Sequence, residues 1–377
     1  MDFDLNDEQR LLSESVNRFI ADRYDFHARE AAMKQPEGFS REIWAQMAEM
    51  GLLGLPFAEA DGGFGCGPVE TMLVMEALGK GLVLEPYLAT VVLAGGILRR
   101  VANEAQRAER VPAIITGDHV MALAHQEWPG PRHTTNRLMT RGVPVDGGWR
   151  LSGAKVAVIA GHAADELVVS AATPDGVGLF FVDPRADGIV RTTRAGYDGV
   201  RLADIAFADV HLKASALLGT AGGGGAVLDA VFEEANAALA AEAVGIMQDV
   251  LGMTADYLRT RTQFGVAIGS FQALQHRAVD MLMQVELSRS MAMLAAMSLD
   301  RPTGERRLHI AAVKAKIGQA GRFVGQQAVQ LHGAIGLTNE YKIGHGFKRL
   351  TAIDALFGDS DHHLDMLAEA GGVPAIA

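Results

Sequence analysis

Residues 261–272 read RTQFGVAIGSFQ, and residues 329–341 read VQLHGAIGLTNEY. Both segments follow long stretches of predicted helix, and their glycines are typical of helix ends. An arginine such as Arg261 at a helix end suits a pyrophosphate, because its planar guanidinium makes bidentate, charge-assisted hydrogen bonds. Gly333 would let the backbone approach a ligand closely. The alternative is a surface arginine and a glycine at a helix terminus, and either segment alone would favour that alternative.

The sequence pattern changes twice along the chain, which predicts three domains. Residues 1–117 carry apolar side chains at three- and four-residue spacing, as helices do. Residues 118–218 contain short segments rich in Val, Ile and Phe between Gly, Pro and Asp turns, which predicts a small antiparallel β domain. Residues 219–377 return to long helical stretches joined by short turns, which predicts an antiparallel bundle. We therefore expect a mainly α fold with a β domain in the middle.

Four helices are expected in the last domain. Their predicted ranges are about 227–262, 270–299 and 305–331, with a short helix after Ser360. Ser270 can supply the N-cap of the second helix, because a serine hydroxyl accepts from backbone amides of the first turn.

The composition is that of a folded globular protein with an acidic balance. Of the 377 residues, 49% are apolar, and the net charge is −11. Nucleic-acid binding needs a basic surface, so we expect no nucleic-acid partner. Cys66 is the single cysteine, so neither an internal disulfide nor a cysteine-based metal site can form. His362 and His363 are adjacent, so they point in different directions on a helix, and no metal is predicted.

The sequence gives no sign of export or membrane insertion. The first residues, MDFDLNDEQR, are acidic and lack the apolar region of a signal peptide. No apolar run reaches the roughly eighteen residues that a membrane span needs. We expect a cytoplasmic protein without a membrane partner.

The two opening segments resemble the acyl-CoA dehydrogenase family, and the resemblance covers essentially the whole chain. Further strings that carry it are Leu52–Asp61, Glu85–Thr90, Phe264–Met281 and Phe357–Leu364. It implies an N-terminal helical domain, a small antiparallel β-barrel domain and a C-terminal four-helix bundle. In detail the chain is similar to small subunits of members that act on dicarboxylyl-CoA thioesters such as pimeloyl-CoA.

The resemblance implies FAD as the cofactor. In the family, residues that match Arg261, Gln263 and Phe264 reach across a subunit interface to the FAD of a neighbour. The residues that the resemblance implies as FAD contacts are Arg261, Gln263, Phe264, Phe271, Gln272, Gln330, Leu331, Gly333, Ala334 and Ser360.

The part of the family's site that contacts the flavin ring is altered in this sequence. A family threonine after the first β-domain strand matches Gln126. A family Trp-x-Thr matches Ala157 and Ile159. A flavin ring here would lose an aromatic cover and a hydroxyl contact, unless other groups compensate.

The usual catalytic base is also altered. In the family, the glutamate of a Tyr-Glu-Gly-Thr-Ser segment removes the α-proton of the acyl thioester. Residues 356–360 of this chain read LFGDS, so Phe357 stands at the position of the base. Some members carry the glutamate on the first bundle helix, at the position that matches Ala235. A proton this weakly acidic needs a positioned carboxylate in a water-poor pocket.

Glu242 and Asp359 are the two candidate bases. Glu242 lies seven residues after Ala235, on the same helix face, in an otherwise apolar stretch. The alternative for Glu242 is a buried pair with an arginine or lysine from another helix. The alternative for Asp359 is the N-cap of the last helix.

Three functions follow from these expectations. In the first, the chain is the small subunit of an α2β2 tetramer that oxidises an acyl-CoA to its 2-enoyl-CoA and passes electrons to an electron-transfer flavoprotein. The partner large subunit would carry the intact flavin pocket and the base. In the second, a homo-oligomer uses Glu242 or Asp359. In the third, the chain is a non-catalytic binding or scaffold protein with a degenerate active site. Arg99 and Arg100 are candidate cations for a distal substrate carboxylate, and the alternative, which is favoured, is that both are solvated surface residues.

Overall fold

A computed structural model describes residues 5–130 and 134–372. The expected fold class, mainly α with a β-sheet domain in the middle, is confirmed. The α-helices are α1 (Asp7–Arg23), α2 (Phe26–Lys34), α3 (Arg41–Glu49), α4 (Pro68–Gly81), α5 (Gly95–Val101), α6 (Glu104–Ile115), α7 (Gly224–Thr260), α8 (Gln272–Ser298), α9 (Thr303–His332), α10 (Lys342–Ala355) and α11 (Ser360–Glu369). A π-helical segment covers Leu88–Ala94, and short 3-10 segments cover Leu52–Gly54, Glu59–Asp61, Ala214–Ala216, Ile268–Ser270 and Gly333–Leu337.

The contacts divide the chain into two compact units. The bundle unit contains the described residues of 1–30, 68–83 and 236–377. The sheet unit contains the described residues of 31–67 and 84–235. The three-domain boundaries expected from the sequence stay a prediction.

The sheet unit holds one mixed sheet. The strands of the chain are β1 (Met121–Ala124), β2 (Arg141–Val145), β3 (Gly148–Ile159), β4 (Glu166–Thr173), β5 (Gly176–Val182), β6 (Ile189–Ala195), β7 (Arg201–Lys213), β8 (Leu217–Leu218), β9 (Thr262–Gln263) and β10 (Val266–Ala267). The first eight form the order β6-β7-β3-β2-β4-β5-β8, with β1 beside β4. Alternate residues of these strands build an apolar core that includes Leu151, Val169 and Phe180.

Two details of the sheet differ from the expected antiparallel barrel. Strand β1 pairs with β4 in parallel, with Met121 opposite Glu166, and β2 meets β4 in parallel at Arg141 and Ala172. The path of the described strands starts at β6 and ends at β8 without returning, so closure into a barrel is not shown. A period-two pattern identifies a strand but carries no information on the direction of its partner.

The helices of the bundle unit agree with the expected ranges within a few residues, with two exceptions. Helix α8 begins at Gln272 after the N-cap residue Phe271, which makes no side-chain cap bond. The expected cap at Ser270 is therefore wrong, because its hydroxyl donates to the Ala267 carbonyl instead. Helix α10 was not expected at all. No helix in the described part of the chain has the length and apolarity to cross a membrane.

Candidate functional site

The end of α7 passes into a small hairpin made of β9 and β10. Arg261 follows α7 directly, and its carbonyl accepts from the Ile268 amide at 2.8 Å, which closes the hairpin. Phe264 occupies the tip with a left-handed φ of 55° and is 91% exposed. Its ring meets that of Phe271 edge to face, with centroids 6.2 Å apart. The hairpin thus presents a large apolar ring to solvent in the single chain.

An aromatic stack holds the end of α7 beside the end of α9. Tyr257 of α7 stacks on His332 of α9 with ring centroids 4.5 Å apart, and Tyr341 tilts against the same imidazole at 5.3 Å. His332 Nδ1 donates to the Ala328 carbonyl at 2.8 Å, and burial lowers the pKa of His332. Segments 261–272 and 329–341 therefore lie at the same end of the bundle unit.

The polar side chains at this end are open. Arg261, Gln263, Gln272 and Gln330 are all exposed, and none has a side-chain hydrogen-bond partner within the described ranges. Gly333 adopts a φ of 66°, and a Cβ built on it would meet no atom within 4 Å. A guanidinium, three amides and an open glycine backbone are the groups that a pyrophosphate and an adenosine need. The residues present therefore fit the nucleotide half of FAD.

Two of the expected FAD contacts face inward. The Leu331 side chain is buried, so only its backbone could meet a ligand, whereas Ala334 is exposed. Ser360 is buried as well, and its hydroxyl donates to Asp354 Oδ1 at 2.6 Å. The structure thus groups most of the expected contacts at one end and commits Ser360 to a bond inside the bundle unit.

A buried lysine fixes the loop that carries Phe357. Lys314 Nζ donates to the carbonyls of Asp354 (3.0 Å), Leu356 (2.6 Å) and Gly358 (2.6 Å). Phe357 has a left-handed φ of 53°, which is costly for a residue with a Cβ. Burial lowers the pKa of Lys314 to about 8. The loop is therefore held in a defined shape with a strained backbone at Phe357, a residue whose side chain cannot act as a base.

Asp359 caps the last helix. Its Oδ1 accepts from the His362 amide at 2.9 Å, and this bond lowers the pKa of Asp359. The carboxylate is exposed. This geometry favours the N-cap alternative for Asp359.

Glu242 is occupied by an arginine of another helix. Arg349 of α10 donates from Nε to Glu242 Oε1 at 2.6 Å and from Nη2 to Oε2 at 2.9 Å. Glu242 is buried, and the side chain of Arg349 is only 12% exposed. Because both carboxylate oxygens are engaged, the geometry favours the buried-pair alternative for Glu242.

Comparison with known proteins identifies the family of this chain. The family model of the acyl-CoA dehydrogenase N-terminal domain matches residues 6–118, and the model of the C-terminal domain matches residues 222–372. Isovaleryl-CoA dehydrogenase, mitochondrial, of Oryza sativa subsp. japonica is 30% identical over 90% of this chain and 85% of that protein. The chain belongs to the acyl-CoA dehydrogenase family. Members of this family are flavin-dependent oxidoreductases that act on CH–CH groups.

Solved structures of acyl-CoA dehydrogenase relatives extend the match. The ChsE4-ChsE5 complex from Mycobacterium tuberculosis contains a chain that is 26% identical, with a TM-score of 0.88 and 100% of both chains covered. A structure of PigA with FAD and proline is 26% identical, with a TM-score of 0.90 and 98% and 99% of the two chains covered. Both matches span the sheet unit and the bundle unit of this chain.

The positions that the sequence resemblance matches to the family's flavin-ring contacts, Gln126, Ala157 and Ile159, lie in the sheet unit of this chain. Ala157 has a left-handed φ of 53° within a bulge of β3, and its amide donates to Asp204 Oδ1 at 2.9 Å. The neighbouring Val156 amide donates to the Gln126 carbonyl at 2.8 Å. The backbone at these positions is well tied, while the aromatic and hydroxyl side chains of the family are replaced by Ala157 and Ile159.

Two residues that matter to this site were missed from the sequence. Arg349 lies on the unexpected α10, and Lys314 looks like one more polar residue of α9. A signal for α10 exists in Ile343, Phe347 and Leu350, which recur at three- and four-residue spacing. No group of three or more His, Cys, Asp or Glu side chains is placed to hold a metal in the residues that the structure describes.

Proposed function

We propose that this chain is the small subunit of a hetero-oligomeric, FAD-dependent acyl-CoA dehydrogenase, similar to the small subunit of pimeloyl-CoA dehydrogenase. The complex converts an acyl-CoA or dicarboxylyl-CoA thioester to its trans-2-enoyl-CoA. The observation that carries the proposal is the exposed set of nucleotide-type side chains in the bundle unit, and the resemblance that matches Phe357 to the family's base supports it.

The proposed task of this chain is to hold the nucleotide half of FAD. Bound FAD supplies the acceptor for the hydride that leaves the substrate β-carbon. Arg261 would bond the pyrophosphate, Gln272 and Gln330 would bond oxygens or nitrogens nearby, and Gly333 would let the adenosine lie against the backbone. Phe264, exposed in the single chain, would pack on the neighbouring subunit.

The base is proposed to come from the partner. Removal of the α-proton requires a carboxylate that is free to accept it. Glu242 would first have to leave Arg349, which would deprive a largely buried guanidinium of this carboxylate. Asp359 would have to leave the amide that it caps. A large subunit with an intact glutamate avoids both costs.

A partner chain is supported by a relative and by the surface of α8. The ChsE4-ChsE5 structure is a complex of two different chains. Helix α8 carries exposed apolar side chains at helical spacing, and they are Val279, Leu282, Met283 and Leu287. We propose an α2β2 tetramer in the cytoplasm, with an electron-transfer flavoprotein as the electron acceptor.

Arg99 and Arg100 support the proposed preference for a dicarboxylyl-CoA substrate. Arg99 and Arg100 both donate to Glu234, at 3.1 Å and 2.6 Å. Two guanidinium groups against one carboxylate leave one positive charge, and a distal carboxylate could balance it. The rates at which pimeloyl-CoA and octanoyl-CoA bleach the flavin of the complex test this preference. Faster bleaching by pimeloyl-CoA would support it, and the reaction class does not depend on the result.

The test is the visible absorption spectrum of the chain alone and of the chain co-expressed with a large subunit. We expect the single chain to show no flavin bands that bleach with pimeloyl-CoA. We expect the complex to show flavin bands that bleach on addition of the same thioester. Bleaching by the single chain would replace the proposal with the self-sufficient homo-oligomer.

A matched pair of arginine variants tests the role of this chain in FAD binding. Arg261→Gln should lower the FAD content of the complex, because it removes the cation for the pyrophosphate. Arg259→Gln, two residues earlier, should leave it unchanged, because Arg259 pairs with Asp256 at 2.8 Å on the surface of α7. Equal FAD content in both variants would contradict this role.

The second candidate is a non-catalytic scaffold with the same fold. The replacement of the base by Phe357 and of the aromatic cover by Ala157 supports it. The open polar set around Arg261 speaks against it, because a scaffold needs no nucleotide contacts. A complex that forms but never shows flavin bands would favour the scaffold.

A further inference from the structure

The sheet unit contains a cleft that the proposed reaction does not use. Its volume is about 280 Å³, and it lies between the start of α3, the turn from β3 to β4, and strand β6. The polar side chains that line it are Glu37, Arg41, His162, Asp165, Arg185, Arg191 and Thr193. None of these residues belongs to the FAD set around Arg261.

Arg191 is held in place by backbone bonds rather than by a carboxylate. Its Nη1 donates to the carbonyls of Gly161 (3.1 Å), His162 (3.2 Å) and Ala164 (3.3 Å). In residues 5–130 and 134–372, no carboxylate lies within ion-pair distance of its guanidinium. The remaining Nε and Nη2 donors are therefore oriented and still available. Fixing a guanidinium in advance reduces the entropy cost of binding an anion.

Thr193 adds a hydroxyl on the same side of the strand. Residues two apart on a β-strand point to the same face, so Arg191 and Thr193 project together from β6. Both line the cleft. The Thr193 hydroxyl has no hydrogen-bond partner among the residues that the structure covers, so it can donate to a ligand oxygen.

Three carboxylates and three arginines lie at the cleft, and their formal charges balance. Glu37 is bonded in a bidentate manner by Arg41, and Asp183 behind the cleft is bonded by Arg185. Asp165 lines the cleft as well; its carboxylate accepts from the Val120 amide at 2.9 Å and keeps its negative charge.

A further arginine gives the surroundings of the cleft a net positive charge. Arg201, behind the cleft, also donates to backbone carbonyls, those of Met33 and Pro36. The pKa of His162 is lowered, chiefly by burial and further by the charges of Arg201 and Arg191. A local positive field stands out in a chain whose net charge is −11.

We propose that this cleft binds the phosphate group of a small anionic ligand, with Arg191 and Thr193 as the direct contacts. The planar fork of an arginine matches two phosphate oxygens, and a threonine hydroxyl can donate to a third. The cleft is larger than a phosphate ion needs, so it has room for the organic part of a phosphate ester. The site goes beyond the proposed dehydrogenation and does not depend on it.

The test is titration calorimetry on the full chain with three probes: inorganic phosphate, adenosine 5′-monophosphate, and adenosine 3′,5′-bisphosphate. We expect saturable binding of at least one probe. Tighter binding of inorganic phosphate would identify a free-phosphate site, and tighter binding of an ester would identify an organic ligand. No saturable binding of any probe would overturn the proposal.

Three variants separate binding from folding. Arg191→Gln should weaken binding by at least about tenfold, because it removes a charge-assisted contact. Thr193→Val should weaken it several-fold while leaving the Arg191 bonds to the turn intact, so its melting temperature should match the wild type. Arg194→Gln is the control, because Arg194 lies on the same strand, outside the cleft lining, and pairs with Asp204 at 2.6 Å. Equal affinity in Arg191→Gln, Thr193→Val and wild type would show that the probe binds elsewhere and would overturn the proposal.

Discussion

Glu242 lies in an apolar stretch of α7, and both of its oxygens accept from the guanidinium of Arg349. A buried ion pair of this kind adds little over a well-packed apolar pair, but loss of one partner leaves the other charge uncompensated. The ion pair with Arg349 also determines whether Glu242 can act as a catalytic base. A carboxylate that neutralises a largely buried arginine is poorly suited to take a proton from a substrate.

Replacement of Glu242 by glutamine tests this interpretation at the residue scale. Glu242→Gln is expected to lower the free energy of unfolding by about 3 kcal/mol, because Arg349 keeps its charge and loses its partner. Urea unfolding of the single chain measures the loss. In the complex with a large subunit, the rate of flavin bleaching per folded molecule should stay at the wild-type level.

Asp249→Asn is the matched control on the same helix. Asp249 pairs with Lys342 at 2.8 Å, and its side chain is 29% exposed, so its removal should cost at most about 1 kcal/mol. A Glu242→Gln variant that unfolds like the wild type but no longer bleaches would make Glu242 the base after all.

At the scale of elements, α7 and α4 pack with their backbones in close approach. A Cβ built on Gly245 of α7 would lie 1.9 Å from the Glu76 carbonyl oxygen of α4. A Cβ built on Gly79 of α4 would lie 2.1 Å from the Glu242 carbonyl oxygen of α7. The two glycines thus allow the backbones of α4 and α7 to come into direct contact. This contact sets the position of the turn of α7 that carries Glu242.

Alanine at Gly245 is therefore expected to separate the two helices. The atom that it meets is backbone, which cannot rotate away, so Gly245→Ala should destabilise the chain by about 3 kcal/mol. Gly252→Ala on the same helix should stabilise it by about 0.5–1 kcal/mol, since a Cβ there meets no atom within 4 Å and alanine favours helix. Thermal unfolding of both variants makes the comparison, and equal melting temperatures would refute the packing argument.

How far the sequence predicts these elements depends on the kind of signal. Helix α7 was expected over about 227–262 and covers Gly224–Thr260, because a long Ala-rich run with a glycine stop is local information. Helix α10 was missed because glycines and charged residues interrupt its apolar period. The parallel pairing of β1 with β4 is a property of two distant segments, and no pattern within either strand encodes it.

In the candidate site too, the sequence predicts local features but not contacts between distant residues. The residue types around Arg261 and at Phe357 could be read from the sequence and its family resemblance. The partner of Glu242 could not, because Arg349 lies 107 residues away on a helix that was not expected. The cap at Asp359 was foreseen as an alternative, since a capping bond spans only three residues.

At the scale of the whole molecule, one surface of α8 is left uncovered by the residues that the structure describes. The inward side of this helix is buried through Met281, Val285 and Ala292. Its outward apolar side chains, Val279, Leu282, Met283 and Leu287, remain 46–54% exposed. A helix that is apolar on two sides is normally covered on both, and an exposed apolar patch of this kind marks a protein interface.

Charges placed on that surface should dissociate the proposed oligomer. The double variant Leu282→Glu with Leu287→Glu would bury two unpaired carboxylates in an interface, at a cost of several kcal/mol. Sedimentation velocity should then show a smaller species than the wild type, and the FAD content of the co-expressed complex should fall in parallel. Leu11→Glu is the control, because Leu11 is an isolated exposed leucine of α1, 66% exposed, and should leave the sedimentation unchanged. If the double variant assembled like the wild type, the interface would not include this surface of α8.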